Sequence, residues 1–123
     1  MAGKHLVLLG DSVFDNQAYV ARGRAVVDHL RRTLPPSDRV TLLAMDGDGS
    51  QDIPDQLRRL PPDTTHLALS VGGNDVLGCL HAFNAPCRSV SEAFTHLAEL
   101  QSQFASSYRS AVSMVARWQL PCV

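Results

Sequence analysis

Three short stretches combine glycine with small polar residues in a way suited to chemistry on a developing negative charge. They are Gly10-Asp11-Ser12, the loop Asp46-Gly47-Asp48-Gly49-Ser50, and Gly72-Gly73-Asn74-Asp75. Glycine lets backbone approach a ligand closely, free N–H groups and a side-chain amide can hold an oxyanion, and Ser12 offers a hydroxyl nucleophile. Each stretch alone also reads as a strand-to-helix turn with an N-cap residue. Only a fold that gathers them on one rim gives them joint meaning.

The surrounding pattern provides such a fold. His5 to Leu9 is an apolar run of strand length, and Gln17 to Leu34 carries Val20, Val26, Val27, Leu30 and Leu34 at helical spacing before Pro35-Pro36. Arg39 to Met45 makes a second strand, and Asp52 to Leu60 a short helix with Ile53, Leu57 and Leu60 inward. His66 to Val71 makes a third strand, followed by a polar, cysteine-bearing loop. A long helix then runs from about Ser91 to Trp118, with a capping-box candidate at Ser89 and Glu92. Its apolar stripe is Phe94, Leu97, Phe104, Tyr108, Ala111, Val112, Val115 and Trp118. Apolar strands separated by helices imply a parallel sheet covered on both faces, a three-layer α/β/α arrangement in a single domain over residues 1–123. The ligand crevice of such a sheet lies at the carboxyl ends of its strands, and each of the three stretches follows one strand.

In order and spacing these blocks resemble the SGNH, or GDSL, hydrolases, and the resemblance runs the length of the chain. It implies a flavodoxin-like, doubly wound sheet and a serine esterase that works through an acyl-enzyme. Ser12 is then the nucleophile, and an oxyanion hole is formed by the Ser12 and Gly47 N–H groups with the Asn74 amide. Gly10, Asp11, Gly72, Gly73 and Asp75 match supporting motif positions. Gly47 is preferred to Gly49 because the family's second-block glycine is typically followed by a small or acidic residue and then Thr or Ser. "GDGS" departs from that spacing by one residue.

The family draws its base from a C-terminal Asp-x-x-His block, which has no counterpart at that place here. The chain ends in "LPCV", where a fourth strand should begin, and reads as an α/β domain truncated there, weak or inactive as an esterase. The alternative is a non-catalytic, degenerate SGNH-like domain that keeps the cleft without turnover. "DTTH", Asp63 to His66, fits the missing block as a string but precedes the third strand, roughly 20 Å of extended chain from the rim. His81, on the rim loop, is the better-placed candidate base. His5, His29 and His96 read as structural.

Competing chemistries fit less well. Phosphoryl transfer on Asp11, as in receiver domains and haloacid-dehalogenase-like phosphatases, requires a lysine on the rim, and the only lysine is Lys4, at the other end of the first strand. The nucleophile elbow of α/β-hydrolases fails because Phe14 stands where its second glycine belongs. No histidine pair has metal-ligand spacing, so neither a metal nor another cofactor is expected.

A net charge of -1 without any long Lys/Arg cluster argues against nucleic acid or anionic membrane as partner. Cys79, Cys87 and Cys122 match no zinc spacing and read as free thiols, and no apolar run is long enough for a signal peptide or a membrane span. A cytoplasmic protein acting on a small ester is the expectation, with short acyl or acetyl groups suggested by small size and no evident lid. An unpartnered third strand would leave an edge open to self-association.

Overall fold

The computed structural model describes residues 2–123. Three parallel strands, β1 (His5–Gly10), β2 (Arg39–Leu42) and β3 (His66–Ser70), lie in the order β2-β1-β3. Leu8 pairs with Leu42 on one side and Ala68 on the other, so β1 is the central strand. That order is the flavodoxin-like one, in which the chain winds first to one side of β1 and then to the other. The helices are α1 (Val26–Thr33), α2 (Ile53–Leu57), α3 (Gly73–Leu77) and α4 (Val90–Ala116).

Side chains alternate across a strand, so β1 feeds two cores. Val7 and Leu9 pack with Ile53, Leu57, Leu67, Ala111 and Val115, beneath α2 and α4. Leu8 turns the other way onto Ala25, Val27, Val40 and Ala68, beneath α1. Burying both faces is what the uninterrupted apolar run of β1 is for, and full burial of each such side chain contributes about 1.5–3 kcal/mol.

Several expected elements are modified. The helix expected over residues 17–34 is broken: a 3-10 turn occupies Gln17–Tyr19, and the α-helix begins only at Val26. The Asn16 side-chain oxygen accepts the Val26 N–H at 3.0 Å, capping the helix from ten residues away, and Gly23 has φ +77°. A long-range cap and a left-handed glycine therefore override the helical spacing of Val20, which is exposed. The second strand stops at Leu42 rather than Met45, because the chain turns to lay its next N–H groups on β1: Ala44 N–H donates to the Leu8 carbonyl and Met45 N–H to that of Gly10. The second helix is preceded by a 3-10 turn at Ser50–Asp52 and ends at Leu57, and the loop after β3 contains α3 and a 3-10 turn at Leu80–Asn84.

Helix α4 starts at Ser89, whose hydroxyl accepts the Glu92 N–H at 3.1 Å. The reciprocal half of the capping box shifts by one residue, since the Glu92 carboxylate accepts from Arg88 N–H rather than from Ser89. Of its expected stripe only Ala111 and Val115 are buried; Phe94, Leu97, Tyr108, Val112 and Trp118 are exposed. A helix of 27 residues runs about 40 Å, further than a sheet of such short strands can cover.

Beyond α4 the chain returns to β3. Leu67 N–H donates to Pro121 O (2.9 Å), Leu69 N–H to Val123 O (2.8 Å), and Val123 N–H to Leu67 O (3.2 Å). "LPCV" thus takes the fourth-strand position in parallel with β3 and covers part of the edge expected to be open. Among the described residues, no helix is long and apolar enough to cross a membrane.

Candidate active site

The rim at the carboxyl ends of β1, β2 and β3 is tied together from below. Gly10 sits so close to β3 that a Cβ there would fall 1.8 Å from the Ser70 carbonyl oxygen, and its φ of +125° suits only glycine. Asp11 N–H donates to that same carbonyl at 3.1 Å, which fixes the chain as it leaves the strand. The Asp11 side chain is buried and accepts the Val13 N–H at 3.0 Å, while its backbone carbonyl accepts from Phe14 and Asp15. Ser12 is left on the outside of this tight turn, half-buried.

The link between loops is Gln56, which sequence reasoning did not select. Fully buried, it holds both sides of the Gly10 residue: its Oε1 accepts Gly10 N–H and its Nε2 donates to Gly10 O, each at 2.8 Å. The same Nε2 donates to the Asp48 carboxylate at 2.8 Å. Asp48 in turn offers its backbone carbonyl to Asn74 Nδ2 at 2.8 Å. A second tie joins the loops after β2 and β3, where the Asp75 carboxylate accepts from Ser50 N–H (3.0 Å) and Ser50 Oγ (2.8 Å). A signal for Gln56 did exist: a polar residue beside Ile53 and Leu57 on the inward face of a short helix needs a buried partner.

In the loops after β1 and β2, two N–H groups stand out. Around Ser12, the N–H groups of residues 11, 13, 14 and 15 are all engaged; around Gly47, those of 45, 46, 48, 49 and 50 are engaged. Those of Ser12 and Gly47 have no acceptor among the described residues. Gly49, the other glycine of that loop, is buried and its N–H donates to Asp52 at 2.8 Å, which leaves Gly47 as the available donor. Asn74 spends one amide hydrogen on Asp48 and retains the other. Gly47 and Asn74 line one polar depression of about 280 Å³ together with Gly49, Gln51, Asp75, Gly78 and Cys79. Gly72, with φ +124°, opens α3, and Gly73 is exposed at its start.

The histidines are distributed elsewhere. His5 is buried at the amino end of β1, between Asp63 (3.0 Å) and Thr41 (2.8 Å). "DTTH" is not a pair at all, since Asp63 binds His5 and Arg39 while His66 Nδ1 meets Thr65 Oγ1. His29 contacts Arg32, and His96 faces Glu92 at 4.0 Å. His81 is exposed and places Nδ1 2.9 Å from the Gly78 carbonyl. That bond selects the Nδ1–H tautomer, leaving Nε2 able to accept a proton. All three cysteines are free, and the described residues contain no group of three or more His, Cys, Asp or Glu side chains that could hold a metal.

Comparison of the backbone with solved structures identifies the architecture. An extracellular lipase from Streptomyces rimosus superposes with a TM-score of 0.62 over 94% of this chain at 17% identity. This is the SGNH-hydrolase fold. A phospholipase A1 from Streptomyces albidoflavus NA297 gives 0.62 over 94% at 19% identity, and AlinE4, an SGNH-hydrolase family esterase, gives 0.53 over 98% at 19%. The chain spans about half the length of the lipase and phospholipase, 53% and 55%, and 75% of AlinE4. Neither a protein-family model nor a curated protein matches the sequence.

Proposed function

We propose that this rim is an ester-hydrolysing site with Ser12 as its nucleophile. The observation that carries the reading is the pair of uncommitted N–H groups, on Ser12 and Gly47, in loops whose neighbouring N–H groups are engaged. In acyl transfer the Ser12 hydroxyl attacks the carbonyl carbon, its proton passes to a base, and the carbonyl oxygen becomes an oxyanion. Two backbone donors and the second Asn74 amide hydrogen then meet that charge, each well-placed donor worth roughly 3 kcal/mol of barrier. Collapse breaks the ester C–O bond, the alcohol leaves with the proton, and water hydrolyses the acyl-enzyme by the same route. The SGNH fold of esterases and lipases supports this assignment.

A second reading, ester binding without turnover, has its own supporting observation. Four of the five histidines are held by partners away from the rim, and among the described residues no carboxylate orients His81. Hydrolysis of p-nitrophenyl acetate by the chain, Ser12→Ala and His81→Ala separates the two. Activity lost in both variants makes Ser12 and His81 a working pair. Activity lost only with Ser12 keeps the nucleophile and removes His81, and equal rates in all three forms overturn the hydrolytic reading.

A further inference from the structure

Six carboxylates stand in the loops that form the rim, on Asp11, Asp15, Asp46, Asp48, Asp52 and Asp75, and among the described residues none of them is in an ion pair. Negative charge beside an oxyanion raises its energy, so a site for developing negative charge among these acids works only if each is held in place. Each accepts a hydrogen bond. Asp11 takes Val13 N–H, Asp15 takes Asp46 N–H, Asp48 takes Gln56 Nε2, Asp52 takes Gly49 N–H and Asp75 takes Ser50. Those donors are backbone groups or buried side chains. Asp46 is the exception: its carboxylate accepts the Tyr19 hydroxyl at 2.7 Å, and Tyr19 is 67% exposed.

Asp46 is also the acid attached most directly to one of the two free donors. Asp48 N–H donates to Met45 O at 3.0 Å, Gly47 has φ +91° and Asp46 has a negative φ, the pattern of a type II turn with Asp46 and Gly47 at its centre. The bond that closes this turn leaves the Gly47 N–H free, and the Asp46 side chain branches one residue before it. Asp15 fixes Asp46 through its N–H and leaves the carboxylate to Tyr19. Tyr19 ends the 3-10 turn, where its own N–H donates to Asn16 O at 3.0 Å. The bond to Asp46, and then that carboxylate's charge, raise the Tyr19 pKa above its ordinary 10.0, so the phenol remains a donor throughout the neutral range.

We infer that Tyr19 is a positioning residue for the Gly47 donor: its hydroxyl keeps the Asp46 carboxylate away from the Gly47 N–H and from any anion that this N–H holds. The inference rests on the Gly47 N–H serving the Ser12 site. Without the hydroxyl, the carboxylate is free to turn over the loop, where its charge opposes that of an oxyanion. A neutral ester in its ground state feels little of this. In hydrolysis the loss therefore falls on kcat and not on KM.

A double-mutant cycle separates this role from a structural one. For serine-dependent hydrolysis of p-nitrophenyl acetate, Tyr19→Phe should lower kcat about tenfold with KM nearly unchanged. Asp46→Asn alone should keep or exceed the native rate, and in the Asp46→Asn background Tyr19→Phe should cost nothing. The same cycle is read without turnover by adding acetate, whose carboxylate stands in for the oxyanion, to the isotopically labelled chain. Acetate should shift the Ser12 and Gly47 amide resonances, with a Kd raised about tenfold by Tyr19→Phe and restored in the double variant. A loss from Tyr19→Phe that is equal with and without Asp46→Asn overturns the proposal, as does a Tyr19→Phe chain that matches the native one in both assays. If the native chain shows no serine-dependent turnover while acetate binding follows the cycle, the esterase reading falls and the role of Tyr19 stands. Serine-dependent turnover without coupling between the two positions does the reverse, and acetate that shifts neither amide in a chain without turnover overturns both.

Discussion

Gln56 shows how one side chain can set the geometry of a site it never enters. Its amide bonds the N–H and C=O of Gly10 and reaches Asp48, which ties the loop bearing Ser12 to the loop bearing Gly47. Gln56→Leu is close in size but leaves the Gly10 N–H without its acceptor, while the Gly10 carbonyl keeps the Met45 N–H, and an unsatisfied buried polar group costs about 1–3 kcal/mol. Urea denaturation should show a loss of about 1–3 kcal/mol, larger than for a typical surface substitution. Asn74 differs because its amide has both an anchoring and a free hydrogen. For any serine-dependent activity, Asn74→Ala should lower kcat by about a hundredfold or more while KM changes little, since the lost donor acts on the oxyanion. A rise in KM with kcat intact would place Asn74 in ground-state binding instead.

At the scale of elements, what the sequence reveals depends on whether the signal is local. β1 and β3 are legible because burial on both faces leaves an uninterrupted apolar run, and the carboxyl-end rule then places Ser12, Gly47 and Asn74 on one side of the sheet. The break between Gln17 and Val26 is not legible, because the cap comes from Asn16 across ten residues and competes with a plausible helical stripe. The Gly10–Gln56–Asp48–Asn74 chain is hidden for the same reason: its outer links join residues 46 and 26 apart in sequence. α4 is legible as a helix but not in its coverage, since a stripe records which face is apolar and not how much of it meets a partner. Only Ala111 and Val115 are buried, so the first turns of α4 depend on their own cap. Ser89→Ala removes the acceptor of Glu92 N–H, a change of about 1 kcal/mol for the local helix. Hydrogen exchange should quicken at residues 91–95 while the global unfolding midpoint stays nearly fixed, as expected for a segment that opens separately from the core. An equal fall in global stability would mean that the amino-terminal half of α4 is cooperative with the sheet.

The whole molecule divides along the strands: donors and glycines collect at the carboxyl ends of the sheet, and a buried histidine staples the amino ends. His5 bridges Asp63, before β3, and Thr41, on β2, while Arg39 pairs with the same Asp63. Burial, and then the Arg39 charge, lower the His5 pKa below its ordinary 6.5. The Nδ1–H donates to Asp63 and the neutral Nε2 accepts from the Thr41 hydroxyl, an arrangement that protonation would disrupt. Because the folded pKa is depressed, the unfolded chain takes up the proton first as pH falls. The stability tied to neutral His5 is therefore fully present above about pH 6.5 and declines as pH drops through the lower folded-state value. Urea midpoints measured from pH 7.5 down to 5, above the range where most carboxylates titrate, should fall with pH in the native chain. His5→Asn should be less stable at pH 7.5 yet show a flatter profile over that interval. A native profile already flat there would mean that Asp63 offsets the burial, holding the imidazole's proton as readily in the fold as in water, and the amino-end staple would then be indifferent to pH while the strands it joins stay in register.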